Sequence, residues 1–519
     1  MGRAFRIVRI LGRHGAAFAL EQLSLPRLVS WAFTFAAGKA TKDITGLRRG
    51  QRLAEAAQAL GPSFIKMGQA LSTRPDLVGD DVADDLAQLR DRLPPFPGSE
   101  ARAVIEEQLG AEMADVFATF DDTPIAAASI AQVHSATLPD GKEVAVKVLR
   151  PGIEELFKRD TDFFFWVAET VELLRPDLRR LEPVSVVRTF RATVDAEMDL
   201  RLEAAAASEL GDSFDDDPTF LVPDIDWQRT QRRVMTAERV RGVPMGNREL
   251  LLAAGRDPEV VVRNVLTAFL NQAFRDGFFH ADLHHGNLFV AEDNAVVAVD
   301  FGIMGRLDKA SRRFVAELLL AFLAGDYHRA AEIHFEAGYV PRDKSIDEFS
   351  QACRSIGKPL FDRPVDEVSI AKLLARLFEV TGSFEMRTQP QLLLLQKTMM
   401  VVEGLCRGIA PGADIWGIAR DVLGGWAKVN LGMQAQTIEA VEKFAGAVRR
   451  LPQLVEKVEV AAGTIVEEGI TIHPATRGVV ESPNAQPQTD SRRHSIPVNT
   501  MLFGIIAISL LVLIYQAFK

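Results

Sequence analysis

The stretch Gly277-Phe278-Phe279-His280-Ala281-Asp282-Leu283-His284-His285-Gly286-Asn287-Leu288 constrains this chain more than any other. Shortly after it comes Val296-Val297-Ala298-Val299-Asp300-Phe301-Gly302. Together they read H-x-D-L-x-x-x-N and then D-F-G, in register. Either half alone is weak, since such short patterns arise by chance. In sequence and at this spacing they specify one chemistry. Moving a phosphoryl group asks a protein mainly to position charges. Asp282 is placed to accept or orient the attacking proton. Asn287 and Asp300 are placed to hold the divalent ions that bridge the phosphates. Mg²⁺ takes oxygen ligands and usually needs only one or two from the protein, so this small set suffices. The apolar run Val296 to Val299 predicts a short strand with Asp300 at its end.

This is the order and spacing of a protein-kinase catalytic loop and metal-binding turn. The expected fold class is therefore α+β, bilobal and kinase-like. Upstream, Asp140-Gly141 is a hairpin signal leading into Glu143 to Val148. Val144-Ala145-Val146-Lys147 fits the V-A-I-K strand, whose Lys holds the α- and β-phosphates of ATP. That Lys needs a helical Glu as its partner. The long helical pattern from Val184 to Leu210 must supply it, with Glu197 as the expected partner and Glu203 as the second candidate. A strand from Val234 to Val240, containing Glu238 and followed by Gly242, suits the hinge whose backbone would bind adenine. Two parts of an ordinary protein kinase are missing. No glycine lies between Gly110 and Gly141, so there is no G-x-G-x-x-G loop, and alanine cannot take positive φ as cheaply as glycine. The nucleotide cover should be stiffer and differently shaped. No A-P-E follows the D-F-G, so no peptide-substrate segment is recognisable.

At 519 residues the chain is expected to hold more than one unit. A net charge of −10 argues against a general nucleic-acid partner. Cys353 and Cys406 have no companion ligand spacing, which excludes a disulfide framework and suits a reducing compartment. Residues 1–40 carry Arg3, Arg6, Arg9 and Arg13 at helical spacing among apolar residues. A basic amphipathic helix on an anionic membrane and the first helix of the fold fit equally, whereas a targeting segment fits less well, because the apolar patch Trp31 to Ala37 is short and has no charged region next to it. In Gly61-Pro62-Ser63 the Gly-Pro pair should interrupt a helix, with Ser63 capping the next. On that next helix Lys66 and Gln69 share one face, and Gly68 allows a neighbour to approach. Residues 474–497 are Pro-rich and polar, a linker. From Val498 to Phe518 the chain is almost wholly apolar, about 31 Å as a helix and long enough for one bilayer crossing. Arg492 and Arg493 before it keep the large domain cytoplasmic by the positive-inside rule, placing the chain at the inner membrane as a single-pass protein.

Taken together these residues resemble the UbiB family of atypical kinase-like proteins, linked to ubiquinone biosynthesis. The resemblance rests on K-x-G-Q at Lys66 to Gln69, on the alanine-rich loop, on E-x-D at Glu197 to Asp199, and on H-A-D-x-H-x-G-N at His280 to Asn287. That loop is Pro124-Ile125-Ala126-Ala127-Ala128-Ser129-Ile130-Ala131-Gln132. Leu283 and His285 stand where the family commonly has prolines, and Ala206 where an Asn is common. The resemblance implies that Lys66 and Gln69 point into the active site, and that the alanine loop covers the nucleotide while disfavouring ordinary protein phosphorylation. It also implies ATP and Mg²⁺ as cofactors, with a membrane lipid or polyprenyl-phenol quinone precursor and quinone-biosynthesis enzymes as partners.

The expected organisation is a segment 1–40, a helical extension 41–118, an N-lobe 119–242, a C-lobe and helical tail 243–470, a linker 471–497 and a transmembrane helix 498–518. The expected function is a membrane-anchored kinase-like ATPase supporting ubiquinone biosynthesis. A nucleotide-switched, non-catalytic scaffold is the alternative. A small-molecule kinase of the aminoglycoside type shares H-x-D-x-x-x-x-N but leaves K-x-G-Q and the anchor unexplained. A helical face such as 430–470 could pair two copies into a homodimer.

Overall fold

In the computed structural model the described residues are 2–16, 46–72, 78–86, 88–89, 93–174, 179, 182–361, 384–386 and 389–430. The chain divides into two compact units, residues 1–423 and 424–519, and of the second only 424–430 are described. The apolar run 498–518 and the face at 430–470 lie outside the described residues. Among the described residues no helix is long and apolar enough to cross a membrane.

The extension is helical: α1 (Gly2–Arg13), α2 (Arg49–Leu60), α3 (Pro62–Ser72), α4 (Asp80–Leu86), α5 (Gly98–Leu109) and α6 (Met113–Val116). Ile7 and Leu11 of α1 are buried against Ala56 and Leu60 of α2, leaving Arg6, Arg9 and Arg13 exposed. The apolar face of the arginine-bearing helix is thus a packing face of the fold. Gly61, at φ +107°, ends α2, a conformation that favours glycine. Helix α3 begins at Pro62, two residues earlier than a capping role for Ser63 requires. Ser63 lies inside the first turn, its hydroxyl buried without a partner. Gly68 does permit a close approach, since a Cβ there would lie 2.4 Å from the Leu89 side chain.

The N-lobe is an antiparallel sheet of β1 (Thr119–Phe120), β3 (Ala131–Thr137), β4 (Glu143–Leu149) and β6 (Val234–Glu238), in that spatial order, with β2 (Ala126–Ala127) paired to β3. Alternation along β4 sends Val144, Val146 and Val148 to one face, where they pack with Val104 and Ile105 of α5. The odd positions face the opposite way. Lys147 stands opposite Met235 of β6, and Met235 packs with Leu200 and Ala204. Three helices cover that second face: α7 (Ile153–Leu174), α8 (Pro183–Glu197) and α9 (Leu200–Asp212).

The C-lobe places β5 (Phe220–Leu221), β7 (Val243–Pro244), β9 (Leu288–Val290) and β10 (Val296–Ala298) in one sheet, ordered β5-β10-β9-β7. Beside it β8 (Phe278–His280) pairs with β11 (Met304–Arg306). With these strands go α10 (Arg248–Ala253), α11 (Pro258–Leu270), α12 (Lys309–Leu323), α13 (Tyr327–Glu336), α14 (Ile346–Phe361) and α15 (Pro390–Ile409), and α16 (Ile415–Asn430) follows in the chain. The amphipathic pattern from Pro258 to Asp276 is not one uniform helix, because Asn271–Asp276 widens into a π-helical turn. That turn buries Gln272, whose Oε1 accepts the His280 amide at 3.0 Å and so ties the helix to the strand that enters the catalytic loop.

Candidate active site

Strand β4 delivers the Lys147 ammonium to a carboxylate pair. Its Nζ donates to both oxygens of Glu203 at 2.6 and 2.9 Å, and to Oδ1 of Asp300 at 3.1 Å. Glu203, not Glu197, is therefore the partner of Lys147. The helical pattern from Val184 to Leu210 is really two helices. Helix α8 stops at Glu197, Met198 leaves helical geometry, and Asp199 is extended and caps α9 by accepting the Arg201 amide at 3.2 Å. This break re-aims the chain, so Glu203 enters from the first turns of α9. Glu197 is instead 2.9 Å from the Nζ of Lys66, and both side chains are largely enclosed. K-x-G-Q and E-x-D thus meet in space, as a second ion pair.

The electrostatics follow from this packing. The Lys147 ammonium holds the Asp300 carboxyl well below the usual carboxylate range, and Lys66 and His280 add to the lowering. Burial pushes Glu203 upward and Lys147 opposes it. For Lys147 burial disfavours the charge, yet Asp300 and Glu203 outweigh it and raise its pKa. Removing either acid would leave a cation in low dielectric with a partner missing.

The catalytic loop is held by its own polar groups. His280 is fully buried, and burial lowers its pKa. Its Nδ1 accepts the Asp282 amide at 3.1 Å, and its Nε2 donates to the Val299 carbonyl at 3.3 Å, which fixes one neutral tautomer. Asn287 donates its Nδ2 to the Asp282 carbonyl at 3.1 Å, and its backbone carbonyl accepts the Val299 amide at 2.9 Å. The opposite side of that planar amide, the oxygen, is the end suited to a cation. His284 accepts the Gly286 amide on Nδ1 at 2.9 Å, so its Nε2–H faces the Asp282 carboxylate, 3.6 Å away. Asp300 sits at φ +63°, a left-handed conformation uncommon for a residue with a side chain. Strain of that kind persists only where the surroundings over-determine it. Here the adjacent Phe301 is buried with its ring 5.4 Å from that of His280.

The structure does not bring every sequence candidate to this cluster. Gln69 directs its Nε2 to the Leu89 carbonyl at 3.5 Å. Glu238 ends β6 half-exposed, with its carboxylate 3.4 Å from Lys142. Gln132 is buried and its amide is engaged with both the amide and the carbonyl of Phe96, at 3.1 and 3.2 Å. Within the alanine loop, Ala126 and Ala127 form β2, and the Ala128 amide donates to the Ala131 carbonyl at 2.8 Å in a tight turn. Pro124 and Ile125 lie on the outer side, with Ile125 exposed, whereas Ser129, Ile130 and Ala131 are buried.

Comparison with known proteins matches residues 88–334 to the ABC1 atypical kinase-like domain and residues 353–414 to the UbiB helical domain. A protein of Marinobacter nauticus called "Probable protein kinase UbiB" is 42% identical over 83% of this chain and 79% of its own. One of the same description from Pseudomonas putida is 40% identical over 86% of this chain and 85% of its own. This chain belongs to the UbiB family. The solved complex of Rv3197 with erythromycin from Mycobacterium tuberculosis covers 69% of this chain and 92% of that one, with 26% identity and a TM-score of 0.49. That likeness is too loose to carry a reading of the site.

One residue in contact with the catalytic loop of this UbiB-family chain has no sequence signal. Thr398 of α15 is fully buried, and its hydroxyl is shared between the Leu394 carbonyl of its own helix at 2.9 Å and, at 3.1 Å, the carbonyl of Ala281, the residue before Asp282. The two are 117 positions apart, and Thr398 lies in the apolar helix Pro390–Ile409, which by sequence is simply a core helix. The helical domain thereby supports the catalytic loop directly. Thr398→Val keeps the shape and removes the donor, leaving a buried carbonyl short of a partner at a cost of about 1–3 kcal/mol. The expected result is a kcat lowered about tenfold with little change in the KM for nucleotide, and recovery in Thr398→Ser. Steady-state kinetics on the three proteins would show it, and an unchanged kcat in the valine variant would remove Thr398 from the machinery.

Proposed function

We propose that this chain binds Mg-ATP between the alanine loop and the catalytic loop, and uses it as a membrane-anchored, atypical kinase-like ATPase supporting ubiquinone biosynthesis. The observation that carries this reading is the junction of Lys147, Glu203 and Asp300 within 3.1 Å, drawn from three separate segments and standing next to the catalytic loop. Such a junction is what phosphoryl transfer needs from a protein: a cation for the phosphates and carboxylates held ionised in fixed places. Asp300 and the amide oxygen of Asn287 are hard oxygen donors, so this donor set fits Mg²⁺. When bound, the metal would neutralise phosphate charge. Lys147 would hold the α- and β-phosphates once Asp300 turns to the cation, Glu203 would keep Lys147 in place, and Asp282 would orient the nucleophile. That nucleophile is water or the hydroxyl of a lipid-like phenolic precursor.

The alanine loop in place of glycines, and the lack of A-P-E, favour a lipid or small-molecule substrate over ordinary proteins. The apolar run 498–518 favours anchoring at the cytoplasmic face of the inner membrane. The test is phosphate release by the full chain in lipid nanodiscs, with and without a polyprenyl-phenol precursor and with Mg²⁺ present or chelated. Mg²⁺-dependent release stimulated by the precursor supports the reading, and a labelled precursor would make the protein a kinase. Silence in every condition would overturn it in favour of a nucleotide-switched scaffold for quinone-pathway enzymes.

A further inference from the structure

The alanine loop has no glycine to shape it, and none of residues 124–132 has a positive φ. Its backbone is therefore ordinary, set by the β2–β3 pairing and the Ala128–Ala131 turn bond, and what remains is to anchor that turn to its surroundings. The group positioned to do so is Arg150, at the end of β4 and three residues beyond Lys147. The Arg150 amide donates to the Ile130 carbonyl at 2.8 Å. Its side chain folds back over the turn, with Nε and Nη2 at 3.2 and 2.8 Å from the Ala128 carbonyl. The same Nη2 reaches the Pro94 carbonyl at 2.9 Å and that of Leu93 at 3.4 Å, and the guanidinium lies 5.5 Å from the centre of the Phe96 ring. Phe96 is clamped in turn by Gln132. The proline-rich segment 93–97, which leads into α5 of the helical extension, is thus fastened to the alanine loop at both ends of one turn.

We propose that Arg150 is the positioning residue of the nucleotide cover: it pins the Ala128 carbonyl to the 93–97 strut and so fixes which way the Ala128–Ser129 peptide faces. A trans peptide is planar, with its N–H opposite its C=O. Holding the Ala128 carbonyl toward the strut therefore turns the Ser129 N–H away from it. Ser129, which carries that N–H, also has a hydroxyl buried without a hydrogen-bond partner. An anion is the complement of such donors, and a nucleotide phosphate is the anion this site would take if the function proposed above is right. Only an arginine can do this. Its planar fork offers five donors and serves several carbonyls at once, whereas a lysine offers a point charge on a flexible stem. The arrangement also makes the extension part of the nucleotide site, since a movement of 93–97 would be felt at Ala128.

The experiment compares the full-length wild type with Arg150→Ala and Arg150→Lys by amide hydrogen exchange and by binding of ATP and of adenosine. Exchange at 126–130 and at the Leu93 and Phe96 amides, the two that segment 93–97 carries, should rise together in both variants. ATP affinity should fall about tenfold, the effect of roughly 1.4 kcal/mol, while adenosine affinity stays as it was, and lysine should not rescue the loss. Equal weakening of adenosine and ATP, exchange rising in only one segment, or full rescue by lysine would overturn the proposal. If the wild type binds neither ligand, the nucleotide reading has failed, and the paired exchange response then decides the role of Arg150 alone.

Discussion

Asp300→Asn should reduce ATP turnover by about a thousandfold while leaving the protein folded. The loss follows from charge. A preorganised charged group aimed at the reacting phosphates is worth roughly 10²–10³ in rate when removed, and Asp300 is also the principal oxygen donor for the metal in the proposed site. The fold survives for two reasons. Asparagine is nearly isosteric, and it is among the residues that best tolerate the left-handed conformation this position requires, φ +63°. The lost charge also leaves Lys147 with its Glu203 partner. Phosphate release at saturating Mg²⁺, measured beside a thermal melt, separates the two effects. Normal turnover in the variant would show that Asp300 has no catalytic part.

The second large effect distinguishes two glutamates that sequence alone could not rank correctly. Glu203→Gln removes the charge facing Lys147 in an enclosed site, where the two side chains are 8% and 15% exposed. Breaking such a pair from one side costs about 3 kcal/mol. Because Lys147 would also lose its anchor, turnover is expected to fall about a hundredfold. Glu197→Gln touches only the contact with Lys66. It should be the milder change by at least about tenfold in turnover, with a correspondingly higher melting temperature than Glu203→Gln. Chemical denaturation and steady-state assays on both variants would establish the order. A reversed order would return the partnership of Lys147 to Glu197.

The reason for the mistaken ranking is physical. Both acids lie in one apolar-periodic stretch, so a single continuous helix from Val184 to Leu210 was the simplest reading. The interruption at Met198 and Asp199 carries no proline or glycine to announce it. Its one local signal is Asp199, a good capping residue placed just before Leu200. The same kind of blindness applies to Gln132. Its place in the alanine loop suggested a ligand contact, whereas its buried amide serves Phe96, 36 residues earlier in the chain. Glu238 was legible as the end of the right strand, but the direction of its side chain toward Lys142 depended on the neighbouring strand.

What the sequence determined by itself is what is written locally. The catalytic loop, the D-F-G turn and the strand carrying Lys147 are each contiguous, and their residue types have a chemical reason that does not need neighbours. Alternation along β4 and the apolar periods of the helices likewise follow from backbone geometry. The tertiary structure alone decided which acid meets Lys147, that Lys66 pairs with Glu197, that Thr398 reaches the Ala281 carbonyl, and that Arg150 fastens the alanine loop to the extension. Each of these joins segments tens of residues apart, 56 for Lys147 and Glu203 and 117 for Thr398 and Ala281. Such contacts form only when packing brings two surfaces together, and no local propensity encodes the partner.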